Sequence, residues 1–110
     1  METISFEEFK KMDIMTAKIL SAEEHPNADK LYVLRVSIGT EERQLVAGIR
    51  QQYPQKEVLV GKNIVVITNL QPRTIRGVES CGMLLAAHDE NDGISVLTCD
   101  RDVSPGSEVS

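Results

Sequence analysis

The strictest limit on the fold comes from a run of alternating residues over positions 30–38. Apolar residues occupy every second position in its C-terminal part, while Arg35 is among the residues between them. Because alternate side chains of an extended chain point to opposite faces, this pattern predicts a strand with one buried face. The turn residues 39–42 and the segment 43–47 then predict a β-hairpin. We expect Arg35 and Arg43 to share its outer face if the register of the two strands allows it.

Several other short segments have the composition of strands. They lie at positions 14–20, 63–68, 82–87 and 94–98, and turn residues separate them. The chain has no Trp and only two Tyr and two Phe, so its core must consist mainly of Ile, Val and Leu. Five or more short strands with little helix are typical of a small barrel. One short helical element between the third and fourth strands favours the OB-fold, the oligonucleotide/oligosaccharide-binding barrel.

A capping box marks the start of a short N-terminal helix. Ser5 is followed three residues later by Glu8, so that each side chain can bond the backbone amide of the other residue. We expect this helix to act as a structural lid. The predicted fold class is therefore all-β: an OB-fold five-stranded Greek-key barrel with a short N-terminal helix and a C-terminal β extension. A chain of 110 residues suits a single domain, which we predict to span residues 1–110.

The formal charge of −5 conceals a basic middle segment. Residues 1–29 carry a net charge of −4, residues 30–78 carry +5 and residues 79–110 carry −6. The basic excess that usually accompanies phosphate binding is thus confined to the middle of the chain. No apolar run approaches the ~18–20 residues that span a bilayer, and acidic residues near the start argue against a secretory signal. We therefore expect no membrane partner and a cytoplasmic location.

The sequence contains no recognisable catalytic or metal-binding motif. It has no GxSxG, no HExxH and no paired histidines. Cys81 and Cys99 lack the spacing of metal ligands, and we interpret them as thiols in a reducing compartment. His25 precedes Pro26 in a turn, which is more typical of a loop anchor than of a general base. These features predict a noncatalytic protein without a cofactor or a bound metal.

The most suggestive basic segment lies at positions 69–77. We expect a loop here, in which Arg73 and Arg76 have no acidic neighbour before Glu79. The forked guanidinium group matches the oxygens of a phosphate, so two unpaired arginines suit phosphate contacts. The alternative is that both arginines pair with the acidic flanks of the chain.

The residues that follow this loop suit contact with a nucleotide. Ser80 supplies a hydroxyl, Gly82 permits close approach of a backbone, and Met83 supplies a flexible thioether that can cover a base or a ribose. The alternative is that Met83 simply begins a core strand.

Two longer motifs resemble the signature segments of the tRNA-binding domain family. They are HPNADKL at positions 25–31 and NLQPR followed by RGVESCGM within positions 69–83. This family includes the C-terminal domain or beta subunit of methionyl-tRNA synthetase, free-standing dimeric tRNA-binding proteins, and domains like endothelial monocyte-activating polypeptide. The resemblance implies an OB-fold that binds tRNA by shape and backbone and is commonly a homodimer.

The resemblance also implies which residues contact tRNA. They are Lys30, Arg35, Arg43, Asn69, Arg73, Arg76, Ser80 and Met83. Many relatives have Arg-Val-Gly where this chain has Met-Thr-Ala at positions 15–17, and a polar or acidic residue in place of Cys81. One cationic contact and one flexible position are therefore missing. With few aromatic residues, base stacking is expected to contribute little and affinity to depend strongly on salt.

Three functions remain open at this point. The first is a noncatalytic tRNA-binding module that acts as a homodimer or assists methionyl-tRNA synthetase. The second is a chaperone-like, secretion-associated, peptide-binding protein of the same fold, a group that generally lacks both motifs. The third is the tRNA-binding domain of the phenylalanyl-tRNA synthetase beta chain, which the NLQPR segment disfavours.

Overall fold

The computed structural model describes all 110 residues and is built around an antiparallel sheet that nearly closes into a barrel. The sheet has the strand order β3-β2-β1-β4-β7. Its strands are β1 (Ile14–Glu24), β2 (Tyr32–Ser37), β3 (Glu42–Ala47), β4 (Asn63–Ile67) and β7 (Met83–Leu84). The backbone amide of Cys81 donates to the carbonyl of Gln44 (2.8 Å), which joins the two edges of the sheet. This arrangement confirms the prediction of an OB-fold barrel.

The remaining elements flank the barrel. They are α1 (Phe6–Phe9), a 3-10 helix (Lys56–Leu59), β5 (Arg73–Ile75), β6 (Val78–Ser80), β8 (Ala86–His88) and β9 (Ile94–Val96). The 3-10 helix lies between β3 and β4, as predicted, and β8 pairs with β9 in a C-terminal hairpin. None of the helices is long and apolar enough to cross a lipid bilayer.

The alternating pattern of β2 places its apolar side chains in the core. Tyr32, Leu34 and Val36 are at most 1% exposed, whereas Arg35 lies on the outer face. The hydroxyl of Tyr32 donates to the carbonyl of Tyr53, and the Tyr53 hydroxyl accepts from the backbone of β9. Both tyrosine hydroxyls therefore link parts of the barrel, and the ring of Tyr32 is buried in the core.

The capping box of α1 forms as predicted, but the helix buries no residue of its own. The backbone amide of Glu8 donates to the Ser5 hydroxyl (3.1 Å), and the Ser5 amide donates to the Glu8 carboxylate (3.2 Å). Phe6 is nonetheless 67% exposed. Local capping thus sets the conformation of this helix, and packing within the chain does not.

The segment that we expected to be a loop with two arginines is a β-hairpin. Arg73 belongs to β5, and Arg76 and Gly77 form the turn, with φ angles of 53° and 88°. Positive φ at both central residues matches the right-handed twist of the paired strands, so a two-residue turn closes a short hairpin. The loop prediction was wrong because Arg76-Gly77 is a weaker sequence signal for a two-residue hairpin turn than Asn-Gly or Asp-Gly.

The C-terminal segment covers the edge of β1 that β2 leaves unpaired. The hydroxyl of Thr16 donates to the Ser104 carbonyl (2.9 Å) and accepts from the Ser107 amide (3.0 Å). Gly106 has a φ of +84°, and a Cβ there would collide with the carbonyl oxygen of Ile38. The chain can pass this point only with a glycine.

Candidate nucleic-acid interface

A cleft of about 280 Å³ separates the β5–β6 hairpin from β7 and β8, and we refer to it as the hairpin cleft. Its lining is drawn from the segments 46–49, 70–75, 80–84 and 86–88. Eight of the 14 lining residues are hydrophobic, and none is Asp or Glu. The cleft is therefore an apolar surface without negative charge in a protein whose net charge is −5.

Strand geometry directs particular side chains into this cleft. Arg73 and Ile75 both line it, as expected for residues two apart on β5. Met83 and Leu70 also line it and remain 45% and 44% exposed. His88, on β8, adds an exposed imidazole. The hairpin cleft thus combines accessible apolar groups with one cationic and one titratable side chain.

The hairpin beside this cleft carries two arginines that have no acidic partner. Both Arg73 and Arg76 are exposed, and neither takes part in an ion pair. The four ion pairs instead engage other basic residues: Arg35 with Glu42, Arg43 with Glu41, Arg50 with Glu24, and Lys56 with Glu23. The alternative in which the hairpin arginines pair with the acidic flanks is wrong.

The loop 25–31 supports the hairpin from behind. His25 is 3% exposed, and its Nε2 lies 2.9 Å from the carbonyl oxygen of Ile75. Its Nδ1 accepts from the backbone amide of Asn27 (3.0 Å), so Nε2 carries the proton and donates it to Ile75. The Asn27 side chain donates to the carbonyl of Arg76 (3.3 Å). His25 is a loop anchor, as predicted.

The structure brings some of the predicted contact residues together. Arg73 and Met83 both line the hairpin cleft, and Arg76 lies at the hairpin turn. Lys30 is exposed in the loop that contacts this turn. Arg73 and Met83 therefore share the hairpin cleft, while Arg76 and Lys30 lie in the adjoining turn and in the loop that bonds to it.

Neither Arg35 nor Arg43 lines the hairpin cleft. Arg35 lies opposite Gln44 in the β2–β3 register, whereas Arg43 lies opposite the buried Val36, so the two arginines are on different faces. The expectation of a shared outer face was wrong because residues that face each other across a ladder share a side of the sheet. The Arg43 guanidinium donates to the carbonyls of Thr68 (2.8 Å) and Cys81 (3.2 Å).

Asn69 and Ser80 also bond to the protein itself. The Asn69 amide oxygen accepts from the backbone of Asp13 (2.8 Å), and its nitrogen donates to the carbonyl of Lys11 (2.6 Å). Ser80 is 5% exposed, accepts from the Val46 amide and donates to the Gly82 carbonyl. Both side chains hold the chain segments around the interface in place.

The two departures from the family pattern lie away from the cleft lining. Met15 borders a second groove, beside α1, and Thr16 holds the C-terminal segment. Cys81 contributes its backbone to barrel closure, and burial, followed by the hydrogen bond to Glu79 and its charge, raises the pKa of its thiol. Neither departure removes a side chain from the hairpin cleft.

Sequence reasoning did not find ten of the 14 residues that line the cleft, and four of these ten are the most informative. They are Leu70, Gln71, Ile49 and His88. Leu70 and Gln71 lie inside the recognised motif, but the motif alone does not indicate which of its residues face a common cavity. His88 had no local signal, because only the pairing of β8 with β9 positions it here.

The family model described as "Putative tRNA binding domain" matches residues 14–108. The chain belongs to the tRNA-binding domain family. The match covers all the strands, the hairpin cleft and most of the C-terminal segment, and of the helices and strands only α1 lies outside it.

Proteins similar to this chain include methionine–tRNA ligases, a MetRS-related protein and a chaperone. A methionine–tRNA ligase of Thermococcus kodakarensis is 48% identical over 99% of this chain, but the chain spans only 14% of that ligase. The structure of a MetRS-related protein from Pyrococcus horikoshii matches with a TM-score of 0.94 at 35% identity, covering 100% of both chains. The chaperone CsaA from Bacillus anthracis matches with a TM-score of 0.89 at 25% identity, covering 99% of this chain and 100% of that chain.

Proposed function

We propose that residues 1–110 form one noncatalytic module that binds tRNA by shape and backbone. The observation that carries this proposal is the pair of exposed, unpaired arginines on a supported hairpin in a member of the tRNA-binding domain family. The guanidinium forks of Arg73 and Arg76 fit phosphate oxygens, which carry no sequence information. RNA helices are recognised mainly by shape, phosphate and 2′-hydroxyl contacts, so such a surface suits many tRNAs equally.

We assign direct RNA contact to four of the predicted residues. These are Lys30, Arg73, Arg76 and Met83. To Arg43, Asn69 and Ser80 we assign a supporting role, because their polar side-chain atoms already bond the backbone. Arg35 forms an ion pair with Glu42, and we expect it to contribute less to RNA affinity than the two unpaired arginines.

The test replaces both hairpin arginines. Arg73→Ala with Arg76→Ala should weaken binding of unfractionated tRNA at least about tenfold, because two charge-assisted contacts are lost. The slope of log affinity against log salt should fall in magnitude by about 1.4–1.8, as expected for two phosphate contacts. Arg35→Ala with Lys62→Ala removes the same charge elsewhere and serves as the control. Equal losses in the two double variants would refute an interface centred on the hairpin.

We propose further that the module is a homodimer. The groove beside α1, which we call the helix groove, has a volume of about 510 Å³ and is lined by Phe6, Phe9, Met12, Ile14, Met15 and Val109, among others. Because α1 buries no residue within the chain, a second copy can cover its apolar side.

Light scattering tests the dimer. Phe6→Glu should convert the dimer to a monomer at micromolar concentration, whereas Val58→Glu should not, although Val58 is also half exposed. A wild-type monomer at that concentration would contradict the proposal.

We infer that the module assists methionyl-tRNA synthetase as its beta subunit or C-terminal domain, and that it works in the cytoplasm. The support is the 48% identity to part of a methionine–tRNA ligase. In trans, the module should lower the KM for tRNA of a synthetase that lacks such a domain, with little change in kcat, because it adds binding remote from the chemistry. An unchanged KM would count against this role.

A second candidate function is peptide binding. The apolar lining of the hairpin cleft and the similarity to the chaperone CsaA favour it. Unfolded peptides should then compete with tRNA for this cleft, and a peptide affinity that resists Met83→Asp would contradict peptide binding there.

A further inference from the structure

We propose that the hairpin cleft holds one unpaired nucleobase of the bound RNA, with the adjacent phosphate on Arg73. The inference deepens the proposed function and rests on it, because it names the part of the RNA that the cleft recognises. It predicts that the module reads a single-stranded position of tRNA, in a loop or at an end, in addition to the backbone.

The first argument is that the cleft combines a cationic side chain with apolar side chains, as contact with a nucleotide requires. Arg73 and Ile75 point into the same cleft from one strand. A nucleotide likewise joins an anionic phosphate to a flat, largely apolar ring. Exposed Met83 and Leu70 provide apolar contact for the ring, and the thioether of Met83 suits an aromatic partner.

The second argument is electrostatic. No Asp or Glu lines the hairpin cleft, and the two arginines beside it have no ion pair. An apolar peptide gains nothing from that charge, whereas a nucleotide requires it. Charge complementarity therefore selects RNA over an uncharged peptide as the occupant.

The third argument concerns the size and edges of the cavity. About 280 Å³ lies just below the ~300–1,000 Å³ of typical small-molecule sites, which leaves room for a nucleobase. Gln71 and His88 line the cleft and offer the donors and acceptors that the edge of a base requires. Because no tyrosine or phenylalanine lines the cleft, apolar and thioether contact takes the place of aromatic stacking.

Methyl NMR tests the assignment directly. The chain has four methionines, so protein with ¹³C-labelled methionine methyl groups contains one probe in the cleft and three internal controls. Adenosine 5′-monophosphate should move the Met83 methyl resonance upfield through the ring current of the base. The resonances of Met12 and Met15, which border the helix groove, should stay in place. Unfractionated tRNA should produce the same displacement and should compete with the nucleotide.

Affinity measurements supply an independent test. Met83→Ala should weaken tRNA binding about three- to tenfold without changing the salt slope, because no phosphate contact is lost. Met83→Leu should restore most of the affinity, since it conserves volume and apolarity. Leu97→Ala is the control, since Leu97 is similarly exposed (42%) and lines neither the hairpin cleft nor the helix groove, and it should leave affinity unchanged.

The outcomes separate this inference from the function on which it rests. If tRNA binds through Arg73 and Arg76 while neither ligand moves the Met83 methyl resonance, the base site is wrong and the proposed function stands. If an unfolded peptide moves that resonance and the nucleotide does not, the cleft is a peptide site. If tRNA does not bind at all, both proposals fail.

Discussion

The hairpin cleft and the helix groove expose apolar side chains to a similar degree, but different charges surround them. Met83 in the cleft is 45% exposed and Met12 in the groove is 40% exposed. The cleft lining includes an arginine and no acid, whereas Asp13 and Glu108 offset Lys10 in the groove. Exposure alone does not distinguish the two surfaces, and the difference in charge is the reason why we propose RNA as the partner of one and a second copy of the chain as the partner of the other.

The two regions also differ in how the chain supports them. The hairpin is bonded from behind by the buried His25 and by Asn27. Helix α1 is held by its own capping box and by the Asn69 side chain, which bonds the segment that follows the helix. The bonds from His25 and Asn27 hold the hairpin backbone from which the two arginines project, whereas α1 is expected to gain most of its packing on the proposed self-association.

The largest effect is expected at Gly106, on the helix-groove side. Gly106→Ala should lower the free energy of unfolding by about 2–4 kcal/mol, because it adds backbone strain at positive φ and a clash with Ile38. Gly61→Ala is the matched control: its φ is +90°, but nothing lies within 4 Å of the added Cβ. Urea denaturation of both variants measures the difference, and equal losses would show that the clash is relieved at no cost.

The next largest effect is expected at His25, behind the hairpin cleft. His25→Ala should cost about 1–3 kcal/mol, because it leaves the Asn27 amide and the Ile75 carbonyl without partners. It should also weaken tRNA binding while leaving dimerisation intact. His88→Ala, which removes the exposed imidazole, should leave the free energy of unfolding unchanged. A His25→Ala variant with wild-type tRNA affinity would show that tRNA binding does not depend on the hydrogen bonds of His25 to the hairpin.

A smaller effect concerns Cys81, where the barrel closes beside β6. Burial raises the pKa of this thiol, and the Glu79 carboxylate adds to the rise. The thiolate is therefore scarcer than in an ordinary cysteine at the same pH, and iodoacetamide should modify Cys81 slowly near neutrality and faster as pH rises. In a Cys99→Ser background, Glu79→Gln should shift the rate profile to lower pH. An unshifted profile would mean that burial alone sets the pKa.

The smallest effect is expected from the acidic turn that follows β8. Glu90→Gln with Asp92→Asn should raise nonspecific binding of single-stranded RNA by about two- to threefold at low salt, because repulsion of phosphate decreases. Asp89 is left unchanged, since its carboxylate accepts from the amides of Asn91 and Gly93. Unchanged binding in a filter assay would show that the acidic ends do not restrict RNA to the hairpin face.

Local patterns in the sequence predicted the barrel well and the site only in part. Alternation predicted β2 and its buried face, and the spacing of Ser5 and Glu8 predicted the cap of α1. The β5–β6 hairpin was missed because an Arg-Gly turn is a weaker signal than Asn-Gly. His88 was missed because the pairing of β8 with β9 places it in the cleft, and the local sequence pattern does not indicate that pairing.

The sequence by itself determined where the main barrel strands lie, the β2–β3 hairpin, the short N-terminal helix and the concentration of positive charge in residues 30–78. Only the tertiary structure decided which of those cations are free. Arg50 and Lys56 pair with Glu24 and Glu23, which lie 26 and 33 residues earlier in the chain. The physical reason is the distance along the chain over which each property is decided. Local strand and turn conformation depends mainly on neighbouring residues, whereas the ion-pair partner of a long side chain depends on which distant segment strand register and barrel closure bring close to it.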